Sequence, residues 1–337
     1  MVREDRKTLS KNLEGHPPRN QKCLAFTQQT SQTSLEMETR VEEVREFWNT
    51  EACGTHFVEH ASSEKEFYER FREHRYRTEW HIPLLVPFTH ARGKKLLEIG
   101  IGNGADAAMF ALNGADYTGA DLTEAALEAT RKHFEVLNLK GRFQKENAEN
   151  LSYPSDSFDI VYSHGVLHHT PNTPKAIGEV HRVLKNGGQA IIMLYHKNSF
   201  NYFIRIMLYM RLRLLLKILS RVGRWRHDRI QLQKALVGLR GNQSHQIWQI
   251  HYQNFLQTGW QYLRASNFVH HCTDGPECPV AHAFSKAEAR DLFKEFRDLR
   301  FAVAHFPLRK YSKWIPFALE KLLATRLGWY LFIFAKK

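Results

Sequence analysis

Between residues 95 and 195 short apolar runs alternate with segments in which apolar residues recur at helical spacing. Lys95–Ile99, Asp116–Ala120, Arg142–Lys145, Phe158–Ser163 and Gln189–Tyr195 read as five strands. The last is continuously apolar at its centre, as strands buried on both faces are. Between them lie helical segments over Asn103–Asn113, Thr123–Asn138 and Pro174–Leu184. Gly114 follows the first as a C-terminal stop, and Thr123 precedes the second as an N-cap, with Ala126, Leu127, Thr130 and Phe134 along one side. Asn186-Gly187-Gly188 ends the third as a turn. Strands alternating with helices predict a doubly wound, mostly parallel α/β sheet with right-handed crossovers.

Outside this region the pattern changes. Ser63 and Glu66 form a capping-box pair opening a helix over Glu64–Thr78. Residues 198–284 are rich in Arg, aromatics and Gln and show no strand–helix alternation. A second capping box, Ser285 to Glu288, opens a helix to about Arg297, and Arg300–Phe306 and Trp329–Ala335 read as two further strands around an insertion at Pro307–Gly328. The organisation expected is a disordered tail (1–38), a helical cap (39–90), a cofactor-binding core (91–197), a helical basic insertion (198–284) and a closing helix and hairpin (285–337).

Charge sharpens that division. Residues 1–90 carry 13 Lys and Arg against 15 Asp and Glu, residues 91–197 carry 12 against 12, and residues 198–337 carry 23 against 8. The whole +13 excess is therefore C-terminal, which predicts a basic appendage facing an anionic partner. Four scattered cysteines, Cys23, Cys53, Cys272 and Cys278, make no disulfide framework, so a reducing, cytoplasmic setting is expected. No apolar signal-peptide core follows the N-terminus, and no run reaches the roughly 18 apolar residues of a membrane span.

The candidate chemistry starts at Glu98-Ile99-Gly100-Ile101-Gly102-Asn103-Gly104. Glycines at a strand-to-helix turn let the backbone approach a ligand without Cβ atoms in the way, and the helix start offers free N–H groups to an anion. Asp121 follows the second strand, where a doubly wound sheet places the ribose of a nucleoside ligand. Glu146-Asn147-Ala148 follows the third strand, Ser163-His164-Gly165-Val166-Leu167-His168-His169 the fourth, and Arg182-Val183-Leu184-Lys185-Asn186-Gly187-Gly188 precedes the fifth.

This order resembles the class I S-adenosylmethionine-dependent methyltransferases, and more narrowly the type 11 group that includes the ubiquinone and menaquinone methyltransferases. The resemblance covers residues 90–197 well and implies a Rossmann-like seven-stranded sheet whose last strand is antiparallel. It implies S-adenosyl-L-methionine as cofactor, with Gly100, Gly102 and Gly104 beneath its methionine part and Glu98 orienting the loop or the ammonium. Asp121 and Leu122 would meet the ribose, Asn147 and Ala148 the adenine, and Ser163 and His164 the methionine end. The adenine position is more often Asp; Asn147 keeps the hydrogen bonding without the charge. A dinucleotide-binding dehydrogenase would carry its third glycine one residue later, where Ala105 stands.

His164 is the expected base, the alternative being a cofactor contact only. His168 and His169 read as caps and core hydrogen-bonding groups, and Tyr195-His196 as a possible substrate wall. The fourth strand does not end in Asn/Asp-Pro-Pro-Tyr/Phe, the sequence that supports planar amine methylation, so transfer to O or C of a small, apolar molecule is expected. No metal is expected: Cys272 and Cys278 are spaced more widely than a zinc knuckle, and with His270, His271 and His282 they read as a turn-rich loop. The segment Arg205–Arg240 holds ten Lys and Arg and one acid, Asp228. It is read as a helical lid, or as a membrane-surface helix over residues 200–229, with nucleic-acid binding not expected. The other function classes that fit are methylation of RNA or protein through the basic half, and a cofactor-binding regulatory subunit without chemistry.

Overall fold

In the computed structural model the described residues are 36–50, 63–224, 228, 244–310, 312 and 314–337. The chain divides into two units, 1–40 and 41–337; within the first, only 36–40 are described, and they are helical. The rest of the expected tail, Cys23, Cys53 and most of the second half of the basic segment lie outside the described residues.

Helix α1 (residues 41–50) and α2 (Glu64–Thr78) precede the sheet, and Ser63 caps α2 by accepting from the Glu66 N–H at 3.2 Å. Then follow β1 (Lys95–Ile99), α3 (Ala105–Leu112), β2 (Asp116–Asp121), α4 (Glu124–Val136), β3 (Arg142–Lys145), β4 (Phe158–His164), α5 (Thr173–Val183) and β5 (Leu184–His196). Thr123 caps α4 as expected, and Asn172 caps α5. The sheet runs β3-β2-β1-β4-β5-β8-β7, where β7 is Arg297–Ala304 and β8 is Tyr330–Lys336. β1, β2, β3, β4 and β5 are mutually parallel, and β8 runs antiparallel to both β5 and β7.

Three details differ from the sequence reading. The glycines at 187 and 188 do not end an element: β5 begins at Leu184 and carries them as an irregularity in its pairing with β4. The capping-box helix after Ser285 stops at Leu292 rather than near Arg297, because β7 already starts there. An eighth strand, Ala283–Phe284 (β6), pairs with Tyr195 and His196; two residues are too few for any pattern to show.

Alternating side chains build a core on each face of the sheet. Leu97, Val161, Ile192 and Ile333 pack under α5, while Leu96, Ile160, Ile191 and Phe332 pack with Ala107, Ala108 and Phe110 of α3. The basic insertion has its own core. A helix winding in π turns over Asn201–Met210 continues as α6 (Arg211–Ser220), and α7 (Ser244–Thr258) packs against it. Tyr202, Ile206, Met210, Leu214 and Ile218 meet Tyr252, Phe255 and Phe268 there, and Tyr195 and Trp329 tie the cluster to the sheet.

Candidate active site

At the carboxyl ends of β1, β2, β3 and β4 the four loops enclose a cavity, with α1 and α2 contributing the remaining wall. Its lining includes Glu98, Gly100, Gly102, Asp121, Leu122, Asn147, Ala148 and His164, so most of the residues singled out in the sequence converge. Gly100 and Gly102 have φ of +80° and +52°. A Cβ on Gly100 would stand 2.1 Å from the Val166 side chain, whereas one on Gly102 would meet nothing within 4 Å. Gly100 is thus demanded by the β4 loop, and Gly102 by the bare backbone it offers the cavity.

The acidic groups are held in place by specific donors. Tyr117 donates to Glu98 at 2.7 Å. Burial, with Asp106 nearby, pushes the Glu98 carboxyl well above its ordinary range. Asp121 accepts from the Ile101 N–H at 3.0 Å through one oxygen and from the Thr123 N–H and hydroxyl at 2.9 and 2.8 Å through the other. It therefore clamps the glycine loop to the end of β2 as well as facing the cavity. Asn147 folds its side-chain oxygen onto the Glu149 N–H at 2.9 Å. Ser163 takes a different place from its neighbours: fully buried, it donates to the Ile99 carbonyl at 2.8 Å and is not part of the lining. Strand alternation turns Ser163 inward, and His164 takes the cavity wall.

A charged group invisible to sequence reasoning lines the cavity beside His164. Arg75 of α2 pairs with Asp106 at 2.8 Å and with Glu79 at 3.0 Å. Tyr76 and Tyr162 also donate to Asp106, at 3.0 and 2.8 Å. Burial alone would raise both carboxyls; Arg75 outweighs it and holds Asp106 and Glu79 down to about 2. Arg75 also lies 3.4 Å from His164 Nδ1. A guanidinium only donates, so that nitrogen accepts and the neutral ring carries its proton on Nε2. Burial lowers His164 to about 4, which keeps it neutral.

His169 has the opposite polarity. Its Nδ1 stands 2.7 Å from the Val280 carbonyl, which only accepts, so Nδ1 carries the proton and the lone pair is on Nε2. Nε2 lies 3.4 Å from Asp274. Tyr195 donates to both Asp274 oxygens, at 3.0 and 2.9 Å, and Trp48 of α1 packs edge-on against the His169 ring at 5.0 Å. His169 lines the cavity, so besides its core hydrogen bond it has a face on the site. His196 is buried against the Gly328 carbonyl at 3.1 Å. His270, His271, Cys272, Cys278 and His282 do not converge on a point. Among the described residues the groups whose ligating atoms come together are Glu79/His81/His164 and His169/Asp274/Cys278.

Positively bent glycines, an open backbone at Gly102, a carboxyl at the loop's start and another at the end of β2 fit a nucleoside-bearing cation such as S-adenosylmethionine. The sequence comparisons agree. The methyltransferase domain family matches residues 97–192. A phthiotriol/phenolphthiotriol dimycocerosates methyltransferase of Mycobacterium leprae is 38% identical over 98 residues, 28% of this chain and 36% of that protein. A ubiquinone biosynthesis O-methyltransferase of Pseudomonas syringae is 31% identical over 115 residues, 34% of this chain and 50% of that one. The chain thus spans between a third and a half of these two relatives' lengths. A solved S-adenosylmethionine-dependent methyltransferase from Mesorhizobium loti aligns with a TM-score of 0.44 at 16% identity, covering 77% of this chain and 96% of that one. With this strand order, glycine loop and family match, the core of this chain is a class I S-adenosylmethionine-dependent methyltransferase domain of type 11.

Proposed function

We propose that the protein transfers the methyl group of S-adenosylmethionine to a hydroxyl oxygen of a small, lipid-like molecule. The cavity beneath α1, floored by the glycine loop and walled by Asp121, Asn147 and two oppositely polarised histidines, is the observation that carries this reading. The cofactor, when bound, supplies a methyl group made electrophilic by a sulfonium. The protein's share is to orient, to exclude water and to take up the acceptor's proton. Gly102 and the backbone around it would cradle the cofactor, with Glu98 toward its ammonium, Asp121 and Leu122 toward its ribose, and Asn147 and Ala148 toward its adenine.

His164 and His169 divide the proton work. His164, with Arg75 fixed on Nδ1, carries its proton on Nε2 and lines the cavity as a neutral ring beside the acceptor. His169, with Val280 fixed on Nδ1, is the group that receives the hydroxyl proton, at the Nε2 beside Asp274, as the new O–C bond forms. The imidazolium so produced faces Asp274. Oxygen as target and a lipid-like acceptor are favoured by the names of the relatives, one an O-methyltransferase of ubiquinone biosynthesis and one a methyltransferase of dimycocerosates.

Calorimetric titration with S-adenosylmethionine tests the first step. The wild type binds, and Asp121→Ala weakens binding by at least about tenfold, since it removes a cavity carboxylate and unclamps the loop. Absence of binding, or equal binding by the variant, overturns the reading. Metabolite profiling with and without the gene then identifies the acceptor as a pair of compounds differing by one methylene.

A further inference from the structure

The helix over residues 201–220 is apolar on two opposite sides. Tyr202, Ile206, Met210, Leu214 and Ile218 are buried in the insertion's core. Ile204, Leu208, Leu212 and Leu216, two positions on and so across the helix, are 44 to 59% exposed. Phe203 and Leu219 widen this outer strip, at 52 and 60%. One position further round runs a row of cations: Arg205, Arg213, Lys217 and Arg221. Arg221 is paired with Asp228, and Arg213 stacks over Trp248 at 4.4 Å. Phe200, where the strip begins, packs on Phe306 at 5.4 Å, and the chain beyond Phe306 leads into a helix over Phe317–Leu327. There Phe317, Leu319, Leu322 and Leu327 are again exposed, and Trp314 is 95% exposed.

We propose that this face docks on the surface of an anionic phospholipid bilayer, the helix lying in the interface with its outer leucines among the acyl chains and its cations at the head groups. A strip of large apolar side chains facing water needs an occupant, and a cationic flank beside it matches an anionic interface. The half of the chain carrying the strip has 23 Lys and Arg against 8 Asp and Glu. That excess argues against a second copy, because a two-fold contact would bring the same cationic surface against itself. Among the described residues no helix is long and apolar enough to cross a membrane, so the contact is interfacial. The surface stands independently of the methyl-transfer reading, and it would place the enzyme where a lipid-like acceptor resides.

The test is co-sedimentation of the full chain with vesicles of phosphatidylcholine alone and of phosphatidylcholine mixed with phosphatidylglycerol. The wild type sediments with the mixed vesicles at least about tenfold more strongly than with the neutral ones, and salt weakens it. The triple variant Leu208→Glu/Leu212→Glu/Leu216→Glu, and separately Arg205→Glu/Arg213→Glu, lose that binding by about tenfold or more. Both retain calorimetric titration with S-adenosylmethionine at the wild-type affinity, which shows that the core is intact. No sedimentation of the wild type, or unchanged sedimentation of the leucine variant, overturns the proposal. So does a wild-type dimer in light scattering that the leucine variant converts to monomer, because the strip would then be an interface between copies.

Discussion

Replacing Arg75 by Met removes the one cation that pairs with Asp106 and Glu79 among the described residues, while keeping an unbranched side chain at the position. The Asp106 side chain is 3% exposed and that of Glu79 13%, so solvent cannot substitute for the guanidinium. In the wild type the two carboxyls are held at about 2, against ordinary values of 3.8 and 4.5. The depressions correspond to about 2 kcal/mol for Asp106 and about 3 kcal/mol for Glu79. The two share one cation and are not additive, so a loss on the order of 3–5 kcal/mol is expected at neutral pH, the range for stranding a buried charge.

The sign follows from the direction of the shifts. A carboxyl whose folded value is depressed adds stability above its ordinary range, and that stability is lost as pH falls through about 4.5 toward 2. Glu98, whose folded value is raised, works oppositely and favours the folded state as pH falls. In the variant Asp106 and Glu79 lose their reason to stay ionised. The deficit against wild type should therefore be largest near neutrality and shrink on acidification toward pH 4. Urea unfolding followed by tryptophan fluorescence, run at several pH values for both proteins, measures this. A deficit under about 1 kcal/mol at neutral pH, or one that does not change with pH, would refute the counter-ion role assigned to Arg75.

Two further predictions separate fold from chemistry. Gly100→Ala should lose at least about 1–3 kcal/mol and abolish cofactor binding, because its Cβ would strike Val166 at 2.1 Å in a left-handed conformation; Gly102→Ala has open space and should cost only backbone strain of about 1 kcal/mol while still weakening cofactor affinity. Thermal unfolding and calorimetry distinguish them, and equal stability losses would contradict the geometry. His169→Asn should lower kcat by about 100-fold or more with cofactor affinity within a few-fold of wild type, whereas His164→Asn should act less strongly; the reverse order would return the base role to His164.

How much of this was legible in the sequence depends on how local each cause is. β1, the glycine loop and the caps at Ser63, Thr123 and Ser285 are written within a few residues of one another, and the structure places them where the pattern does. Groups brought together across the chain left no such signal. Arg75 and Asp106 are 31 positions apart, and His169 and Asp274 are 105 apart, yet the fold brings each pair into contact. Residue type identified the histidines as candidates, but their tautomers depend on Arg75 and on the Val280 carbonyl. Asp121 and Ser163 show the same limit at shorter range. A carboxylate after β2 was legible; that it also binds the Ile101 N–H follows from the loop's need to satisfy a donor near the cavity. Ser163 next to His164 was legible as a strand end, but which of the two turns to the cavity is decided by register with Ile192 and Met193 of β5.

The basic insertion carries this reasoning furthest. Its helical spacing and charge were both visible, and they fitted a lid as well as a membrane helix, because sequence alone does not say which apolar face is covered. The structure covers one face with Tyr252, Phe255 and Phe268 and leaves the opposite face bare. A lid needs only the first face, since its apolar side meets the sheet and its polar side meets water. Leucines at 208, 212, 216 and 219 on the outer side would then be a liability without a use, exposed at roughly half their surface beside a row of cations. A helix apolar on both sides is instead what joins a protein core to an apolar phase.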